Sequence, residues 1–184
     1  MLDFEYNGLS RIHDVATALA TNPKITILCL TGNVLIDSDA ELIAQALKQN
    51  TNLRKLFING NNFTLAGLDK IRATIYDTSS LKAMESCNHT CWVNRAGNLD
   101  DILPHHRRNR KLYELLSERN AENSNVRHLD AEFEEEACII KLVPSVLECI
   151  KRLSVDRATG ASVPLSILFE LIRNWKMPEL FERH

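Results

Sequence analysis

The sequence predicts an α/β solenoid of about three strand–helix repeats, closed at its C-terminal end by helices alone. Three observations predict it: an internal period of 28 residues, a short apolar strand pattern that opens each period, and helix-like spacing in the remainder. ITILCLTGN (Ile25 to Asn33) superposes on LRKLFINGN (Leu53 to Asn61), and a second shift reaches LKAMESCNH (Leu81 to His89). The apolar columns are Ile25/Leu53/Leu81, Leu28/Leu56/Met84 and Leu30/Ile58/Ser86, followed by the polar column Asn33/Asn61/His89. A fixed period of this length is the mark of a repeat architecture.

Within each period, the residues after the strand pattern keep the same register. Ala40, Ile43 and Leu47 align with Leu68, Ile71 and Ile75, preceded by Ile12, Val15 and Leu19 and continued by Ala96, Leu99 and Leu103. Spacings of three and four place each set on one helix face. Ser38-Asp39-Ala40-Glu41 reads as a capping box at one such helix start. A strand this short buries alternate side chains, Leu28 and Leu30 or Leu56 and Ile58, against its own helix. One unit cannot bury enough surface alone, and stacked units share a core. The turn after each strand leaves backbone groups needing partners, and an inward Asn33 or Asn61 can both donate and accept there.

The pattern L-x-x-L-x-L-x-x-N with a full helix resembles the leucine-rich repeat, and its 28-residue length resembles the ribonuclease-inhibitor-like subtype, over roughly residues 10 to 103. The resemblance implies a leucine-rich-repeat solenoid whose concave strand face is the contact surface. The third copy departs from the pattern at Ser86 and His89, as a terminal unit would. Projected backwards, the preceding strand begins before Met1 and puts Leu2 on the Leu30 column, so the first repeat is expected to be incomplete. Two readings of that edge stand: the chain is the C-terminal part of a longer repeat protein, or it starts on an open edge. Unpaired strand edges are pairing liabilities, which makes a homodimer through the N-terminal edge a candidate.

Residues 1–104 are therefore assigned to the solenoid and 105–184 to a helical C-terminal capping region. His105 to Asn120 is basic and then amphipathic, with Leu112, Leu115 and Leu116 on one side, and its Lys, Leu, Glu and Arg content favours a helix over a degenerate fourth strand at Asn109 and Leu112. Ala121 to Asp130 reads as a polar loop, and Ala131 to Leu142 as a helix whose glutamates suit its positive end. Pro144 and Pro164 each open a further helix, separated by a loop over Asp156 to Ser162.

Composition narrows the function classes. The formal net charge of -2 demands neither nucleic acid nor an anionic surface. No run of about 18 apolar residues occurs, so no membrane span is expected. The N-terminus lacks the basic and apolar regions of a signal peptide, and five scattered cysteines suit reduced thiols, so an intracellular, cytoplasmic setting is expected. Asn62-Phe63-Thr64 and Asn88-His89-Thr90 match the glycosylation triplet and carry no weight without secretion.

The outward strand positions are Ile27, Cys29 and Thr31, then Lys55, Phe57 and Asn59, then Ala83, Glu85 and Cys87, with Cys29, Phe57 and Glu85 in one row and Arg54 beside Lys55. An aromatic ring next to basic side chains is the kind of group that anchors a protein interface. The plain alternative is a solvated face, or one covered by the C-terminal segment. Cys87-x-His89-x-Cys91, with His105 and His106, holds metal-ligand residue types at a spacing unlike that of zinc sites, so no metal is expected. The His105 to Lys111 basic cluster could touch RNA or phosphate, but Glu132 to Glu136 offers charges to neutralise it, and a nucleic-acid partner is not expected. No G-x-x-x-x-G-K, G-x-G-x-x-G or G-x-S-x-G motif occurs, so neither catalysis nor a cofactor is expected. A protein-interaction module follows. Two rival readings are a regulatory or cytoskeletal protein of the GTPase-activator or tropomodulin type, which rests on fold analogy, and a weak zinc or nucleic-acid contact.

Overall fold

The computed structural model describes residues 1–94, 108–122 and 124–133. The chain divides into two compact units, Met1–Asp77 with Ser86–Arg107, and Thr78–Glu85 with Arg108–His184. The aligned columns at Ala96, Leu99 and Leu103, and the helices expected after Pro144 and Pro164, lie outside the described residues.

In the first unit, four parallel strands lie in chain order: β1 (Leu2–Asp3), β2 (Ile27–Cys29), β3 (Lys55–Phe57) and β4 (Trp92–Asn94). Helices α1 (His13–Ala20), α2 (Asp37–Gln49) and α3 (Leu65–Ile75) connect them. Each strand is only two or three residues long. Its inward side chains meet the apolar stripes of the helices: Leu28, Leu30, Leu56 and Ile58 pack in one cluster with Ile12, Leu19, Ala40, Ile43, Leu47 and Ile71. This is the core the two periods of the sequence specify, and burying a Leu or Ile there is worth about 1.5–3 kcal/mol each.

β2 and β3 pair with the expected 28-residue offset, Ile27 opposite Lys55 and Cys29 opposite Phe57. Both flanking strands depart from it. The edge strand β1 lies within the chain and places Leu2 opposite Leu28, not in the Leu30 row. The offset there is 26, and residues 4–12 connect β1 to α1 where the shorter stretch 30–36 connects β2 to α2. The ladder continues past the strand, with Phe4 N–H donating to the Cys29 carbonyl and Tyr6 N–H to that of Thr31, both at 2.9 Å.

The larger correction is at the third repeat. Residues expected as its strand form a helix, α4 (Leu81–Ser86), and the strand that pairs with β3 comes later, with Trp92 opposite Lys55 and Asn94 opposite Phe57. The physical reason is twofold. Leu, Lys, Ala, Met and Glu are strong helix formers, and Ser80 caps them, its Oγ accepting from Ala83 N–H at 2.9 Å. Leu81 and Met84 are both buried three residues apart, which fits the helix period as well as the first step of the repeat pattern. Cys91-Trp92-Val93 has the aromatic and β-branched content of a strand, and Cys91 and Val93 join the core.

Helix starts are linked to one another by carboxylates. Asp39 accepts from Ile36 N–H at 3.0 Å, at the start of its own helix, and from Ile12 N–H at 3.2 Å, just before α1. Asp37 accepts from Thr64 N–H at 2.8 Å and from Thr64 Oγ at 2.5 Å, ahead of α3. The capping box expected at Ser38 to Glu41 is thus displaced by two residues: Asp39, in the third helical position, does the capping, and Glu41 instead pairs with Lys70 at 2.8 Å.

The second unit contains most of α4, with α5 (Arg108–Ala121) and α6 (Asn125–Phe133). Helix α5 answers the expectation for His105 to Asn120 and buries Leu112, Leu115 and Leu116. The segment expected as a loop up to Asp130 is largely helical, because Ser124 and Asn125 turn the chain early: Ser124 N–H and Asn125 Nδ2 donate to the Arg119 and Leu116 carbonyls at 2.8 and 2.7 Å. Arg119 donates to both oxygens of Glu132, at 3.0 and 3.3 Å, and Glu132 also accepts from Leu81 N–H at 3.1 Å.

Candidate functional site: the outer face of the sheet

Side chains that point away from α1–α3 form three rows across the strands. Ile27, Lys55 and Trp92 make one, and Asp3, Cys29, Phe57 and Asn94 the next. Beyond the strand ends, Thr31 and Asn59 extend the face, with Gly32 N–H donating to the Asn59 carbonyl at 2.8 Å. Strand alternation produces this face directly: Leu28 and Leu56 turn in, so their neighbours turn out.

Six of the predicted residues, Ile27, Cys29, Thr31, Lys55, Phe57 and Asn59, lie on this face, and Arg54 lies exposed just before β3. Two need correction. Cys29 is buried, because its short side chain sits between Asp3 and Phe57 in the row and its Sγ meets Thr31 Oγ at 3.4 Å. Glu85 is not on the sheet at all; it belongs to α4 and pairs with Arg108. Ala83 is likewise on α4, and Cys87 lies just beyond it, buried, accepting from Asp77 N–H at 3.3 Å.

The place expected for Ala83 to Cys87 is taken by Trp92 and Asn94, which the repeat reading missed. The ring of Trp92 meets that of Phe57 edge to face, with centroids 5.8 Å apart and planes at 79°. Its signal in the sequence is Trp92-Val93 after Cys91, which falls outside the strand positions of a constant 28-residue period. Among the described residues, neither Lys55 nor Arg54 has a carboxylate partner. The face therefore carries an aromatic pair flanked by two open cations.

The opposite edge is acidic. Asp3, Glu5 and Cys29 bring their donor atoms within 4.8 Å of one another, the one such grouping of possible metal ligands among the described residues. It does not include Cys87, His89 and Cys91, whose thiols turn to backbone groups: Cys87 to the Ala73 carbonyl and Cys91 to that of Trp92, both at 3.6 Å. Of the basic cluster, only Arg108 onward is described, and Arg108 and Arg110 pair with Glu85 and Glu114. The two carboxyls held below their ordinary range lie away from the sheet. Thr64 hydrogen bonds lower Asp37, and the Lys70 ammonium lowers Glu41.

The face is held in place by two asparagine ladders. Asn33 accepts from Asn7 and Leu9 N–H at 3.1 and 2.9 Å and donates to the Phe4 and Leu30 carbonyls at 2.9 Å each. Asn61 repeats this one unit on, accepting from Leu35 N–H and donating to the Leu30 and Ile58 carbonyls. The second ladder lies at the other end of the strands. Asn50 accepts from Leu53 N–H at 2.7 Å and donates to the Leu19 carbonyl at 2.8 Å; Asn88 accepts from Cys91 N–H at 2.8 Å and donates to the Leu47 carbonyl at 2.7 Å. Asn88 is therefore a structural residue with its amide buried.

No protein-family profile matches the chain. It is 32% identical over 80 residues to the ribonuclease inhibitor of Sus scrofa, a match covering 42% of this chain and 18% of that protein. The chain thus spans about a fifth of the length of the relative it matches. The parallel strand–helix sheet and this similarity together support a distant leucine-rich-repeat-like relationship.

Proposed function

We propose that the chain is a non-catalytic protein-binding module that engages its partner through the outer face of β2–β4. The observation that carries this reading is the Phe57–Trp92 ring pair, partly exposed on the face and bordered by Lys55 and Arg54. Large aromatic side chains with adjacent cations supply much of the energy in protein interfaces. The strands that present them are held rigid by buried leucines and asparagine ladders, so little ordering cost falls on binding. A ribonuclease inhibitor acts by binding another protein, and the distant likeness to one supports the same kind of role.

The test is affinity capture with the full chain against a Phe57→Ala, Lys55→Glu variant, followed by titration of the captured partner as pure protein. Loss of at least tenfold in affinity with an unchanged circular dichroism spectrum is expected. Equal affinity of the two proteins for that partner sinks the proposal.

A further inference from the structure

The outer face is divided by charge. Asp3 and Glu5 lie on the β1 side, while Lys55 stands opposite Trp92 in the β3–β4 register and Arg54 lies exposed just before β3. The two cations have no carboxylate partner among the described residues, which they share with Arg11, Lys24, Lys48, Arg72 and Arg127; what sets them apart is their place at the strand that carries Phe57. Cations left open beside an apolar pair are electrostatically complementary to a carboxylate that arrives together with an apolar side chain. The acidic β1 edge repels the same carboxylate and confines it to the β2–β4 half.

The extent of the described face points to a small occupant. The described rows run from Ile27 to Thr31 along the strands and from β1 to β4 across them, and with strands about 4.8 Å apart and rising about 3.3 Å per residue they span about 15 Å by 13 Å. A stable face-to-face pair of chains needs about 800 Å² from each partner, several times that area. One extended segment fits it. Resting on the protein-binding role proposed above, we infer that the occupant is a short acidic segment of another protein, with an apolar side chain set against Phe57 and Trp92 and carboxylates reaching Lys55 and Arg54.

The experiment uses the full chain, immobilised, to select from a random twelve-residue peptide display library, with the Phe57→Ala variant for counter-selection. Selected peptides are then made synthetically, with Gln and Asn replacing Glu and Asp in a matched set, and titrated by fluorescence polarisation. Expected are sequences in which Asp or Glu flank Leu, Phe or Trp, a loss of at least tenfold in the Gln/Asn set, and weaker binding as salt rises. The Lys55→Glu, Arg54→Glu double variant, whose exposed positions leave folding intact, should prefer basic peptides. Selection of basic or uncharged sequences that still depend on Phe57 overturns the acidic assignment while leaving the sheet-face role standing. Peptides bound equally by the Phe57→Ala variant overturn both. Failure to select any sequence, or a concentration-dependent dimer in sedimentation that Phe57→Ala abolishes, overturns the short-segment occupant.

Discussion

Asn33 shows how much a single side chain can do in this fold. Its amide serves five backbone groups, three on its own turn or the strand before it as donor and two on the preceding loop as acceptor. Asn33→Ala should cost about 2–4 kcal/mol, since buried amides and carbonyls are left unsatisfied. Asn33→Asp should be no rescue, because a carboxylate cannot donate to Phe4 or Leu30. A urea midpoint unchanged in either variant would refute this. Asn33 and Asn61 are legible in the sequence because they recur at the period. Asn50 and Asn88 are not, because the inserted helix α4 separates them by 38 positions and Asn88 falls at a place the period assigns to a strand. The turn after the strand has a second requirement. Tyr6, Gly32 and Gly60 occupy matching places with φ of 53°, 67° and 63°. Gly60→Ala should lose about 1–2 kcal/mol through left-handed backbone alone.

At the scale of elements, α4 is the instructive case. An apolar pair three apart is common to both patterns, so the periodicity of Leu81 and Met84 could not decide between strand and helix. Local propensity and the Ser80 cap decided for helix, and β4 formed where Trp92 and Val93 could join the core. The helix starts supply a pH-dependent link. Thr64 holds the Asp37 carboxyl below its ordinary range, so the folded value lies under the unfolded one. Its contribution is then present above about pH 4 and is lost as the pH falls through the lowered value. Thr64→Val should lower the thermal midpoint at pH 7 and shrink the acid-side slope of stability; an unaltered slope contradicts the link. In the second unit, Arg119 and Glu132 are a buried pair, with side chains 6% and 13% exposed. Arg119→Met should cost about 3–5 kcal/mol by stranding the Glu132 charge, whereas Arg119→Met with Glu132→Gln should recover much of it. Chemical denaturation of the single and double variants checks this, and additive losses would show that the two side chains act independently.

For the first unit as a whole, stability passes between neighbours along a shared core. Leu56 is fully buried on a central strand, so Leu56→Ala should cost about 2–5 kcal/mol. Backbone amides of α2 and α3 should lose hydrogen-exchange protection together in that variant, since stacked units support one another. Protection lost in β3 alone would mean that the units are energetically separate. The sequence by itself determined the strand–helix alternation, the identity of the inward leucines and isoleucines, and the turn asparagines Asn33 and Asn61. Each of these follows from side-chain periodicity, a local property. Only the tertiary structure decided which residues complete the outer face. Strand pairing is non-local, and any segment with an inward Val93 and the right backbone register can occupy the place beside β3. That choice replaced Glu85 with Trp92 and Asn94, set an aromatic ring against Phe57, and made the face apolar and basic at one side and acidic at the other.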